Sequence, residues 1–189
     1  MNDQKRVFAA IDISDEARQR IAAYVDDLKR KMGNNAVKFE SIDKLHITLK
    51  FLGDIDTNTL NRLTSAVRFI AGRYSPFTLE VAGTGVFPNA AKPRILWLGI
   101  NAEELSSIVN DINNACEPLG FEPEKRDYQP HLTIGRIRDG QRSAETVKYH
   151  LDHQFAPARS TVSQLSVYES QLLRTGSVYT LVSSHGLAD

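Results

Sequence analysis

His46-Ile47-Thr48-Leu49 and His131-Leu132-Thr133-Ile134 are two copies of one four-residue pattern. Each copy lies in an apolar run that reads as a β-strand, where alternate side chains share a face. On the first, Leu45, Ile47, Leu49 and Phe51 fall on one side and His46, Thr48 and Lys50 on the other. The second has the same parity, with Leu132 and Ile134 opposite His131 and Thr133. The apolar face has to bury against helices, which leaves each His/Thr face toward a polar cleft. A lone His-x-Thr carries almost no signal, since a half-buried strand histidine bonded to a neighbour explains it as well. Two copies in equivalent places carry far more.

Outward from these strands the chain reads as two similar halves. In the first, Val7 to Ile11 predicts a strand. Ser14 caps a helix to about Lys31, with an apolar stripe of Ala17, Ile21, Tyr24, Val25 and Leu28 and a stop at Gly33-Asn34-Asn35. The first His/Thr strand follows from Leu45 to Leu52. Next comes a helix capped by Thr57 with the face Leu60, Leu63, Val67 and Ile70, then a strand from Phe77 to Val81 and a Gly83-Thr84-Gly85 break. In the second half, Ile95 to Leu98 is a strand, and Asn101 with Glu104 has capping-box spacing for a helix buried through Leu105, Ile108, Val109, Ile112 and Cys116. The second His/Thr strand, a short polar helix from Ser143 to Leu151, a strand near 162–168 and a last strand at 178–182 complete it.

Each half therefore reads β-α-β(His-x-Thr)-α-β. The expected fold class is α+β: two pseudo-symmetric lobes, each a mostly antiparallel sheet with outer helices, facing a shared central cleft. The expected organisation is one bilobal domain over 1–189, internally duplicated at about 5–87 and 94–168, plus a C-terminal strand. Pro88 to Pro93 is the expected crossover between lobes.

The bulk properties narrow the function. The 189 residues hold 23 Lys+Arg against 23 Asp+Glu, so the formal net charge is zero and no global basic field draws in nucleic acid. A polyanionic partner would be held locally, at an end. No run approaches a membrane span or a signal-peptide core. The single cysteine, Cys116, allows no internal disulfide and fits a reducing compartment, so the expected location is cytoplasmic and no membrane or obligate protein partner is implied.

Two imidazoles in one cleft suit acid–base chemistry on a phosphodiester. With an ordinary pKa of about 6.5, roughly a quarter of an imidazole population is protonated at neutrality, so a charged acid and a neutral base coexist. The hydroxyls of Thr48 and Thr133 can donate to phosphate oxygens as charge builds, and Arg136 is the nearest fixed cation able to grip two oxygens. Paired histidines also suggest a metal, but neither His/Thr face carries an Asp or Glu, and His150 with His153 has helical spacing without a third ligand. The expectation is no metal and no cofactor, with His150 and His153 at a solvated helix end. Nothing resembles a Walker phosphate loop.

On these motifs, on Arg6-Val7-Phe8-Ala9-Ala10, on Leu45 to Gly53, on Pro93 to Gly99, on Pro130 to Arg136 and on Leu173 to Tyr179, the chain resembles the two-histidine (2H) phosphoesterase superfamily. It is most similar to the bacterial RNA 2′,3′-cyclic phosphodiesterases, first named 2′-5′ RNA ligases. The resemblance implies that His46 is the general acid, protonating the departing 3′ oxygen of a cyclic phosphate, and His131 the general base for water, giving a 2′-phosphomonoester. It implies that Thr48, Thr133 and Arg136 hold the phosphate and that Phe51 stacks on the terminal base. The implied partners are RNA 3′ ends or nucleotides bearing a 2′,3′-cyclic phosphate. Strand parity opposes two of these roles, because Phe51 and Arg136 each lie five residues past their histidine and need a bulge to reach the cleft. Phe51 reads equally as core, Lys50 as a cleft or solvated edge residue, and Trp97 as structural, while Tyr179 could flank the site although its apolar neighbours Val178 and Leu181 favour a structural place. An ATP-independent 2′-5′ RNA ligase and a non-catalytic RNA-end or nucleotide-binding module are the alternatives.

Overall fold

A computed structural model describes residues 4–32, 36–122, 127–174 and 176–188. The helix stop read at Gly33-Asn34-Asn35 and Thr175 of the closing motif lie outside the described residues. Along the chain the elements are β1 (Lys5–Asp12), α1 (Asp15–Met32), β2 (Val37–Phe39), β3 (His46–Ile55), α2 (Thr57–Ala71), β4 (Phe77–Phe87), β5 (Ile95–Asn101), α3 (Glu104–Cys116), β6 (His131–Ile137), α4 (Ala144–Asp152), β7 (Ala158–Val162), β8 (Gln164–Leu173) and β9 (Gly176–Gly186). None of the described helices is long and apolar enough to cross a membrane.

The helices form for the reasons legible in their sequences. Ser14 caps α1, its hydroxyl accepting from the Ala17 amide at 3.3 Å, and Ala17, Ile21, Tyr24, Val25 and Leu28 are all buried. The cap of α2 is Asp56 rather than Thr57, its carboxylate accepting from the Thr59 amide at 2.7 Å. The Asn101–Glu104 capping box does not form, because Asn101 is still paired in the ladder opposite Glu80.

All strand pairs are antiparallel, in a four-stranded sheet ordered β3-β1-β8-β9 and a five-stranded sheet ordered β2-β6-β5-β4-β7. Each sheet thus sets a histidine strand beside the leading strand of its own half, β3 with β1 and β6 with β5. The next strand comes from the other half: β8 pairs with β1, and β4 with β5. The sequence halves are therefore not the lobes. Helices cross as well, since α2 and α3 pack on the four-stranded sheet while α1 and α4 lie with the five-stranded one. Pro88 to Pro93 is correspondingly no crossover between lobes but the turn of the β4–β5 hairpin, bounded by the pair Phe87–Ile95. The Gly83-Thr84-Gly85 break is a bulge within one continuous strand, with Gly83 at φ 76°. This exchange interlocks the halves around one connected apolar core and brings β3 and β6 together where the sheets meet.

Candidate active site

Along β3 the expected alternation holds at first, with Ile47 and Leu49 buried and His46 and Thr48 half-buried. Then the ladder slips: Ala10 faces Thr48 but Ala9 faces Lys50, so Leu49 has no partner. Leu49 and Lys50 both turn to the core, and Phe51 swings to the side of His46. On β6 the same slip leaves Ile134 unpartnered between Trp97–Thr133 and Leu96–Gly135, and Arg136 rejoins the face of His131. One bulged residue in each strand thus delivers the fifth residue past each histidine into the cleft, which ideal strand geometry forbids. The same slip moves Lys50: expected on the His/Thr face or at a solvated edge, it is buried instead, its ammonium donating to Asn113 Oδ1 on α3 at 2.6 Å.

A cleft of about 470 Å³ is lined by His46, Thr48, Phe51, His131, Thr133 and Arg136 together. All six side chains singled out in the sequence meet there. Both imidazoles are held by one device: His46 Nδ1–H donates to the Lys44 carbonyl at 2.8 Å, and His131 Nδ1–H to that of Gln129 at 2.8 Å. A carbonyl only accepts, so each neutral ring carries its proton on Nδ1 and keeps Nε2 for proton exchange. His46 is stacked on Phe8 with ring centres 4.7 Å apart and meets the edge of Tyr179 at 5.1 Å. Burial pushes its pKa below the usual histidine value, against the opposing pull of the Lys44 carbonyl, Asp12 and Glu40.

Sequence reasoning missed or underrated several residues that line the cleft or support it. Glu40 follows β2, its amide donating to the carbonyl of bulged Ile134 at 2.9 Å while its carboxylate holds Arg136 Nε at 2.9 Å. That bond fixes the guanidinium and leaves its terminal nitrogens for a ligand. Lys44 lines the cleft and donates to the Ser177 carbonyl at 2.9 Å, tying the β8–β9 hairpin to the first histidine strand. Tyr179, whose apolar neighbours favoured a structural place over one flanking the site, is a wall of the cleft. Tyr128 reaches across to donate to the Thr48 carbonyl at 3.1 Å, at the foot of the β3 bulge. A three-residue strand and a tyrosine in a connecting segment leave no periodic signal, so nothing in the sequence marked them.

His150 is not at a solvated helix end. It is fully buried, with Tyr24 donating to Nδ1 at 2.9 Å and Nε2–H shared between the carbonyls of Gly85 and Trp97 at 3.1 and 3.2 Å. It bolts α1 and α4 to the five-stranded sheet. His153 is exposed and stacks on Tyr149 at 4.7 Å.

With this geometry in hand, resemblances to known proteins acquire meaning. A family model described as LigT like Phosphoesterase matches twice, over residues 11–97 and 98–179. A Methanothermobacter thermautotrophicus protein named RNA 2′,3′-cyclic phosphodiesterase is 36% identical over 93% of this chain and 95% of its own. One of that name from Archaeoglobus fulgidus is 31% identical over 92% of this chain and 96% of its own. Among solved structures, a Thermus thermophilus protein superposes with a TM-score of 0.79 over 96% of this chain and 97% of its own, at 23% identity. The structure of E. coli LigT complexed with 3′-AMP does so with 0.75 over 99% and 100%, also at 23% identity. At that identity the structural matches establish the shared α+β fold.

Proposed function

The chain belongs to the LigT-like phosphoesterase family, and from that premise we propose that it hydrolyses the 2′,3′-cyclic phosphate of RNA 3′ ends to a 2′-phosphomonoester by paired-histidine acid–base catalysis. The observation that carries this reading is the convergence of two His-x-Thr pairs, from two different sheets, on one cleft with both imidazoles in the same tautomer.

Phosphorus sits between the two Nε2 atoms. His131 takes a proton from water as its oxygen forms the new P–O bond, and protonated His46 gives a proton to O3′ as the P–O3′ bond breaks. The 2′ ester bond survives, leaving a 2′-phosphate and a free 3′ hydroxyl, and the protons are re-equilibrated through solvent. Thr48 and Thr133 donate to the non-bridging oxygens, Arg136 braced by Glu40 holds the anion, and Phe51 stacks on the terminal base. The anionic substrate also helps His46 hold its proton against the effect of burial. A negative charge beside a desolvated imidazole favours its protonated form. We place this reaction in the cytoplasm, where the buried Cys116 remains a thiol.

The test is a defined oligoribonucleotide ending in a 2′,3′-cyclic phosphate, incubated with a chelator and without ATP, with the phosphate position of the product mapped. A 2′-phosphate end is the expected product. A longer 2′-5′-linked product would assign a ligase instead, and an unchanged substrate would leave a binding module.

A further inference from the structure

Arg6 also lines the cleft, and nothing so far gives it work. Its guanidinium lies over the Phe51 ring, 4.6 Å from the centroid. The other cations about the cleft are engaged: Arg136 with Glu40, Lys44 with the Ser177 carbonyl, and neighbouring Lys5 with Glu169 at 3.0 Å. Arg6 forms no ion pair among the described residues, although Asp54 stands opposite it in the β1–β3 ladder. Phe51 is 50% exposed, leaving room for a base beside it, and Leu172, which also lines the cleft, is 67% exposed.

The position of this idle cation along β1 matters. Phe8 stacks on His46, and Arg6 lies two residues further along the same face, about 7 Å by strand rise. That is the direction in which Phe51 lies beyond Thr48. A cyclic phosphate at the histidines, with its base on Phe51, therefore sends its 5′ side toward Arg6. We propose that Arg6 binds the phosphodiester on the 5′ side of the terminal nucleotide, making this a site for RNA ends of at least two nucleotides in preference to cyclic mononucleotides. The inference rests on the cyclic-phosphate reading above and adds a subsite to it. Stacking on Phe51 holds the planar guanidinium in place, so little side-chain freedom is lost when its edge meets a phosphate.

Three substrates separate the possibilities: a 2′,3′-cyclic mononucleotide, a diribonucleotide ending in the same cyclic phosphate, and that dinucleotide with a neutral methylphosphonate linkage. A charge-assisted bond of ordinary strength favours the dinucleotide in kcat/KM by about tenfold or more. The methylphosphonate, which leaves the protein untouched, should erase the advantage, and Arg6→Gln should bring the dinucleotide-to-mononucleotide ratio near one. Equal kcat/KM for mono- and dinucleotide in the unaltered protein overturns the subsite, as does a preference that survives either change. If no cyclic phosphate is turned over at all, the hydrolase reading fails separately. The subsite is then decided by equilibrium binding of mono- and dinucleoside 2′-phosphates, where the same ratio and the same loss in Arg6→Gln are expected.

Discussion

On β3 the ring of His46 lies flat against Phe8 and edge-on to Tyr179, whereas on β6 that of His131 meets Phe87 edge-on at 4.9 Å and Trp97 at an angle at 6.5 Å. The backbone beneath them is the same in kind: Nδ1 bonded to the carbonyl two residues earlier, one bulged residue three positions on, and the fifth residue turned into the cleft. What differs is the side chain each bulge delivers, an aromatic ring on one strand and a guanidinium on the other. In the proposed reaction, one backbone solution used twice would supply a matched pair of proton carriers and an unmatched pair of ligand grips. The symmetric part suits the reaction, since acid and base perform reciprocal tasks. The asymmetric part would give the proposed substrate one orientation.

The largest expected effect tests the symmetric part. His46→Ala and His131→Ala should each lower kcat by about 10²–10⁴-fold, the usual worth of a proton-transfer group. Binding of a 2′-phosphate product, followed by calorimetry, should fall much less. If either variant keeps its activity, the reciprocal assignment is wrong for that strand.

The asymmetric part should break differently on the two sides. Arg136→Lys keeps a charge but loses the planar fork and the brace of Glu40 through Nε, so about tenfold or more should be lost on every phosphate ligand regardless of base. Phe51→Leu should cost about 1–3 kcal/mol per stacked base, expressed in KM for nucleotides and absent for inorganic phosphate. A competition series of phosphate, ribose phosphate and nucleotides reads both. Identical patterns in the two variants would mean the bulges do not divide the labour.

Burial gives the third contrast. The folded pKa of His46 lies below its ordinary value because the stacked ring is desolvated. In the proposed mechanism His46 works protonated, so kcat/KM, which reports the free enzyme, should fall as pH rises through that lowered value. In the complex the phosphate anion favours the proton, and the alkaline limb of kcat should lie at higher pH. Coincident limbs would show that substrate charge does not reach the imidazole.

What the sequence revealed about this molecule was its local part. Period-2 alternation from each histidine to its threonine, the helical stripe from Ala17 to Leu28 and the Ser14 cap are all set by local sequence, and they stand in the structure as read. Of the six expected site residues that share one cleft, His46, Thr48, His131 and Thr133 were legible from strand parity, whereas Phe51 and Arg136 were indicated by family resemblance alone, against parity. Long-range choices were illegible. Nothing in β4 or β8 says that each pairs with the leading strand of the opposite half, since an alternating strand fits either sheet. A bulge is a property of two strands, so the slips at Leu49 and Ile134 had no signature in either strand alone. Lys50 was placed on the wrong face for that reason. His150 was misplaced because its partners, Tyr24, Gly85 and Trp97, are scattered through three other elements.

The smallest expected effect probes the residue just before each delivered side chain, Lys50 on β3 and Gly135 on β6. Lys50 fills its position from β3 outward to Asn113, so Lys50→Met keeps the stem packing and loses one bond, a cost of about 1 kcal/mol. At Gly135 a side chain would grow toward β2: an added Cβ comes within 3.0 Å of Val37 Cγ1 and 3.3 Å of Phe39 Cδ1. Gly135→Ala should also cost about 1 kcal/mol, from overpacking, so the two variants should melt alike. They should differ in function. The β2 segment that the added methyl pushes aside leads into Glu40, which satisfies the Ile134 carbonyl and braces Arg136, so phosphate affinity should weaken in Gly135→Ala. Lys50→Met leaves that segment alone and should bind phosphate as before. Equal phosphate affinity in the two variants, at matched melting temperatures, would show that β2 supports the fold without aiming the guanidinium.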